Sequence, residues 1–408
     1  MSDFKEKIQQ LAKEYFEEIV GIRRHLHSYP ELSFEEFETS AFVKKKLENL
    51  GIPYQEMANT GLVGIIKGDQ PSERVIALRA DMDALPITEV EGRPYGSQNK
   101  GVMHACGHDV HTSSLLGVAK ILQELKSEFG GTIKLIFQPG EEKLPGGASI
   151  MIKEGVLKNP EPQAVIGQHV MPFIEAGKVG FRSGQYMAST DELYMTVKGR
   201  GGHGAHPHQN IDPIAIAAQI ITALQQVVSR AADPRIPTVL SWCKIIGNGA
   251  TNIIPDEVHL EGTFRTFDEK WRAEAHHKMK KMAIGIAESM GASCDFEVHH
   301  GYPFLVNEPR LTASAKSCAE EYLGKENVLD LELWPAGEDF AYYSQQSDAC
   351  FYRLGTGNKE KGITSAVHTP TFDIDEAALE ISIGLMAYIT LRQLGSIDTM
   401  GVAEKLSC

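Results

Sequence analysis

Met103-His104-Ala105-Cys106-Gly107-His108-Asp109-Val110-His111 is the stretch from which the rest of the chain can be read. His104, Cys106, His108 and His111 place four potential metal ligands within eight residues. Cys106 and His108 stand on either side of small Gly107, so on an extended or looped backbone both can turn the same way. A thiolate beside an imidazole suits zinc, nickel or manganese-class ions better than calcium. The plainer alternative is a loop whose histidines are only solvated, and what weighs against it lies further along. The apolar run at 75–79 leads into Asp81-Met82-Asp83. The run at 132–137 leads into Gln138-Pro139-Gly140-Glu141-Glu142, and the run at 164–167 ends in Gln168-His169. Each strand-like run therefore delivers a carboxylate or imidazole just past its C-terminal end. In an open α/β sheet those ends line one crevice, where such folds hold ligands.

Outward from this centre the spacing predicts more of the same fold. Phe4, Ile8, Leu11, Tyr15, Ile19, Ile22 and Leu26 recur at helical steps and stop before Pro30. A second helix is expected over about 34–50, ended by Gly51, then a strand over 62–67 and a helix marked by Leu115, Leu116, Ala119, Leu122 and Leu125. The basic end of the first helix, Arg23-Arg24-His25-Leu26-His27, reads as a cationic C-terminus favoured by the helix dipole. Two carboxylates at positions 81 and 83 point the same way from a strand end, although a polar strand cap would look alike.

From 191 the order changes to strand 192–198, helix 212–229, strands 239–246 and 257–266, helix 268–290 and strand 294–299. That is the βαββαβ order of a ferredoxin-like module. Helices at 311–322 and 376–394, with strands at 328–333 and 350–354, resume the first pattern. The expected fold is α/β: a domain with a mainly parallel sheet flanked by helices, formed by 1–188 and 301–395, with 189–300 inserted in it. Residues 396–408 carry no periodicity and read as a flexible tail.

Bulk properties exclude several classes. At 408 residues the chain is too long for one ordinary core. Its net charge of -14 argues against a nucleic-acid partner, whose footprint is basic. No run of 18 apolar residues occurs and the first helix is charged throughout, so neither a signal peptide nor a membrane partner is expected. Cys106, Cys243, Cys294, Cys318, Cys350 and Cys408 show no disulfide spacing, which fits reduced thiols and a cytoplasmic location.

Collecting Cys106, His108, Glu142, His169 and His368 gives more ligands than one tetrahedral ion needs. Five suit two ions sharing a bridge, typically about 3.5–4 Å apart. In the doublet Glu141-Glu142, one carboxylate can bind metal while its neighbour acts on water as a general base.

Five motifs in order carry a resemblance across nearly the whole chain: 78–86 (Leu78-Arg79-Ala80-Asp81-Met82-Asp83-Ala84-Leu85-Pro86), 104–109, 137–142, Gly201-Gly202-His203-Gly204-Ala205-His206-Pro207-His208, and Gly337-Glu338-Asp339-Phe340. With them the sequence resembles the metal-dependent amidohydrolases of the M20 peptidase family, in the branch of aminoacylases, hippurate hydrolases and auxin-conjugate hydrolases. The resemblance implies a centre of two divalent ions (zinc, manganese, nickel or cobalt) on Cys106, His108, Glu142, His169 and His368. Glu141 would be general base and acid toward a metal-bridging water. Where the wider family has a His-x-Asp motif this chain has Asp81-Met82-Asp83, which puts Asp81 and Asp83 behind the ligands. The insert becomes a lid and dimerisation domain. On it, His203 reaches the other subunit's active site in a homodimer, and Asn252 and Arg265 meet the substrate carboxylate. Hinges are then expected near 188–191 and 299–303. The implied activity is hydrolysis of N-acyl amino acids, N-acetyl or N-benzoyl among them. A metallo-dipeptidase with the same centre is the near alternative, and a metal-binding protein without turnover is the alternative of another class.

Overall fold

Four apolar runs, Gly130–Gln138, Gln70–Asp81, Ala164–Glu175 and Asp348–Gly357, lie side by side and parallel in that order. Apart from strand ends such as the exposed start of Gln70–Asp81, their side chains are buried on both faces, as continuous hydrophobic strands require. Antiparallel strands extend the sheet on both sides. Gly61–Lys67 and Tyr54–Met57 lie beyond Gly130–Gln138, and Val179–Phe181 beyond Asp348–Gly357, with Val328–Asp330 parallel to Val179–Phe181 at the edge. Together they form one eight-stranded, mixed and centrally parallel sheet. The computed structural model describes residues 2–395, so the expected tail at 396–408 lies outside the described residues.

The helices Ser2–Ser28, His108–Glu124 and Ala378–Gly395 pack on one another, the latter two also on this sheet. The stripe read in the first helix is its core-facing side: Ile8, Tyr15, Ile19, Ile22 and Leu26 are buried in the core, and Phe4 and Leu11 pack against it partly buried. Each fully buried isoleucine or leucine among them contributes about 1.5–3 kcal/mol by leaving water. Backbone contacts group the described residues up to Gly184, Val306–Glu332 and those from Tyr342 on into this first unit.

A second unit takes in Gln185–Leu305 and Leu333–Ala341. Its four-stranded antiparallel sheet runs Thr238–Ile246, Glu257–Thr266, Asp191–Lys198, Ser293–His300. Helices Pro213–Gln226 and Glu269–Ser289 complete the βαββαβ order. Asp212 and Asp268 cap them by accepting backbone N–H groups, the first ahead of a proline at the helix start. Leu193, Met195, Val197, Ile216, Ile220, Leu224, Leu260 and Phe264 form a core separate from that of the first unit. Leu333–Ala341 has no periodic pattern to flag it. It is tied in where the Ala188 N–H donates to the Trp334 carbonyl at 3.1 Å. One segment, Pro213–Ala231, has the length and composition of a membrane span. Its Ile216, Ala217, Ile220, Leu224 and Val227 belong to this core.

Two local readings need correction. Ala164–Glu175 runs eight residues past the expected end at 167, because Gln168, His169 and Val170 keep pairing with Tyr352, Arg353 and Leu354. His169 is therefore inside a strand, not beyond it. Arg23 is not a solvated helix end. It is fully buried, with Nε 2.8 Å from Asp109, a residue that His27 also meets at 2.8 Å through Nδ1.

Candidate metal centre

Gly107 decides how the central motif turns. It takes φ +82° immediately before helix His108–Glu124, and a Cβ there would come within 2.5 Å of Val170 Cγ2. Only glycine fits this conformation beside that strand. The turn leaves Cys106 below the helix and makes His108 its first residue. His368, itself at φ +62°, donates its N–H to the Ala105 carbonyl at 2.8 Å and so joins the same place.

The five candidate ligands come together. Cys106 Sγ is 3.4 Å from His169 Nε2 and 3.3 Å from His368 Nε2. His368 Nε2 is 3.2 Å from Glu142 Oε1. Donor atoms lie within 4.8 Å of one another in three overlapping groups: Cys106, His108 and His169; Cys106, Glu142 and His368; His108, Glu141 and Glu142. Cys106 is common to the first two.

The donor set fits divalent transition ions on two observations. His108 Nδ1 lies 2.8 Å from the Asp83 carbonyl, and His169 Nδ1 lies 2.8 Å from the Val170 carbonyl. Donating there fixes the tautomer that turns each Nε2 lone pair inward, the usual arrangement behind a metal-bound imidazole. His108 Nε2 is buried without a hydrogen bond, an arrangement that invites a positive partner. Burial, then the Glu142 charge, raises the Cys106 thiol, while bonds to Cys106 and Glu142 carry His368 up to about 10. Burial pushes His169 well below its ordinary value.

Asp81 and Asp83 stand behind this set with separate tasks. Asp81 Oδ2 accepts from Arg79 at 2.6 Å and Oδ1 meets His111 Nδ1 at 2.6 Å. Burial opposes the Asp81 charge, but Arg79, His108 and His111 hold the group well below the usual carboxylate range. Asp83 accepts from Ser33 at 2.6 Å and from the Glu142 N–H at 2.9 Å, with Oδ1 3.2 Å from His108 Nδ1.

His111 and His104, part of the motif, are not in the Cys106 groups. His111 Nε2 accepts the Val170 N–H at 3.0 Å, so both its nitrogens are committed. His104 is buried with neither nitrogen hydrogen-bonded, and burial lowers it to about 4, keeping it neutral. No spacing in the chain reveals the Arg79 and His111 contacts to Asp81.

The remaining candidates are in the second unit. Exposed His203 sits on strand Gly202–His203, register partner of Ile253, and the Gly204 N–H donates to the Asn252 carbonyl at 2.8 Å. His203 and Asn252 are thus neighbours. His203 Nδ1 accepts from the Ala205 N–H at 3.1 Å, which leaves Nε2 as the ring's donor. Arg265 is on another strand, Glu257–Thr266, with Nε 3.1 Å from Thr263 Oγ1.

The match to peptidase family M20/M25/M40 spans residues 77–392. An N-acyl-L-amino acid amidohydrolase of Geobacillus stearothermophilus is 44% identical, over 74% of this chain and 81% of its own. Thermostable carboxypeptidase 2 of Saccharolobus solfataricus is 38% identical, over 95% of this chain and 98% of its own. Among solved structures, the YXEP protein of Bacillus subtilis, described as a dinuclear metal binding peptidase of family M20, is 35% identical. It superposes with a TM-score of 0.81, covering 94% of this chain and 100% of that one. The chain belongs to peptidase family M20/M25/M40 and is a hydrolase of amide bonds.

Proposed function

We propose that the enzyme hydrolyses N-acyl amino acids to a carboxylic acid and a free amino acid. The observation that carries this reading is the pair of donor groups sharing Cys106, with Glu141 within 4.8 Å of the His108 and Glu142 donors. Cys106, His108, Glu142, His169 and His368 would hold two divalent ions, zinc, manganese, nickel or cobalt. Such ions supply Lewis acidity and acidify water. Glu141, buried beside the ligands, takes a proton from the attacking water and returns it to the departing amine. His203 donates from Nε2 to the oxyanion as charge develops. Asn252 and Arg265 receive the substrate carboxylate, Arg265 through the planar fork that matches it.

The remaining assignments rest on the family and on composition. The second unit serves as lid and dimerisation domain in a homodimer, and the location is cytoplasmic.

A panel of N-acetyl amino acids, N-benzoyl-glycine, longer acyl-glycines and dipeptides, assayed for amine release with each metal, tests the reading. Preferred turnover of the acylated compounds is expected. Preferred turnover of dipeptides would move the enzyme to the peptidase reading, which the carboxypeptidase relative favours. In the same assay Glu141→Gln is expected to keep its metal while kcat falls by several orders of magnitude. Loss of metal together with activity would overturn the division of labour between Glu141 and Glu142.

A further inference from the structure

Glu36 is a fully buried carboxylate placed immediately before helix Phe37–Asn49, yet its side chain does not cap that helix. Its oxygens are turned elsewhere. Oε1 accepts two backbone N–H groups, from Phe34 and from Gly140, each at 2.8 Å. Oε2 accepts the Thr60 hydroxyl at 2.6 Å. The Gly140 contact crosses 104 positions of sequence and lands on the residue before Glu141. On the far side of Glu141, the Glu142 N–H is held by Asp83 at 2.9 Å. The N–H groups of the two residues on either side of Glu141 are therefore each anchored to a buried carboxylate from a different part of the chain. Gly140 is also pressed against Phe34. It has φ +58°, and a Cβ on it would come within 2.4 Å of the Phe34 ring, leaving the loop no room to shift that way.

We propose that Glu36 is a positioning residue for the reaction, setting the Gly140–Glu142 loop so that Glu141 meets the water it deprotonates. The inference rests on the reading of Glu141 as the base. A buried carboxylate is a demanding choice for holding neutral donors, since removing its charge from water is unfavourable. Burial and the neighbouring Asp83 raise Glu36 to about 7, which shows that unfavourable setting. One buried oxygen that accepts the Phe34 and Gly140 N–H groups together ties the loop to the segment ahead of the helix, whatever the charge on the side chain. Tight fixing matters because a misplacement of about 1 Å can reduce turnover about 100-fold.

The test compares Glu36→Ala, Glu36→Gln, Thr60→Val and Glu141→Gln in the full-length enzyme. Each is assayed on an N-acetyl amino acid, with metal content and amide hydrogen exchange of the 138–146 segment measured alongside. Glu36→Ala is expected to lower kcat about 30-fold or more with KM and metal content within twofold, and to speed exchange in that segment in the metal-free protein. Glu36→Gln keeps an oxygen for the two N–H groups and is expected to restore most of kcat and the slow exchange. Unchanged kcat and exchange in Glu36→Ala would overturn the proposal. So would a fall in kcat matched by lost metal, or a Glu36→Gln enzyme as slow as Glu36→Ala. If Glu36→Ala does not fold, Thr60→Val decides, with a severalfold fall in kcat expected and unchanged kcat counting against the proposal. Full activity in Glu141→Gln would instead sink the base assignment, while the exchange data still judge Glu36.

Discussion

The two oxygens of Asp83 meet three donors: the Ser33 hydroxyl, the Glu142 N–H and His108 Nδ1. Asp83→Asn replaces one of those oxygens with an amide that can only donate, so at least one contact becomes donor against donor. Metal affinity is expected to fall about 10–100-fold with the fold kept, read by competition against a chelator at fixed pH. Unchanged affinity would show that the Asp83 carbonyl alone orients His108. The sequence singled out Asp81 and Asp83 from their alternation at a strand end but could not divide their tasks. Nor could it show that His111, inside the motif itself, is committed to Asp81 and to the N–H of Val170, 59 residues on. Arg23 looked like a helix end because its partner, Asp109, is 86 positions away. Motifs identify residue types, whereas hydrogen-bond partners are chosen by tertiary contacts that leave no spacing in the chain.

At the scale of elements, helix His108–Glu124 and strand Ala164–Glu175 are joined through His111. His111→Phe would leave the Val170 N–H and Asp81 Oδ1 buried without this partner. Each such group costs about 1–3 kcal/mol, so a loss of at least about 2 kcal/mol is expected in chemical denaturation. Stability equal to that of the parent would refute the bridge. Long apolar runs and the βαββαβ order could be read directly, because continuous or alternating hydrophobicity follows burial. The short strands Tyr54–Met57 and Val179–Phe181 could not. Three or four residues are too few for a period to register, and pairing alone makes them strands.

At the scale of the molecule, the second unit is tied together where the chain enters and leaves it. Buried Asp191 accepts from Arg272 Nη2 at 2.6 Å and Nε at 2.9 Å, and lies 2.8 Å from His276. Arg272 also donates to the Thr190 and Gly301 carbonyls. Burial opposes the Asp191 charge, but His276 and Arg272 outweigh it and lower the group to about 2 from an ordinary 3.8. A carboxylate depressed in the folded state adds stability that is full above its unfolded value and vanishes as pH falls through the folded one. Urea denaturation is therefore expected to show wild-type stability falling between pH 4 and pH 2. Asp191→Asn should already lack about 3 kcal/mol at pH 7, since Arg272 is left buried without its counter-charge, and should lose less over that range. A deficit of equal size at pH 7 and pH 2 would contradict this.

Asp191 and His300 are also register partners on neighbouring strands. Backbones so paired lie about 4.5–5.5 Å apart, a gap that a two-residue turn can close. The whole of 191–300 is consequently a cassette with adjoining ends. Joining residue 190 to residue 301 through such a turn would remove this stretch of the second unit without stretching the chain that remains on either side.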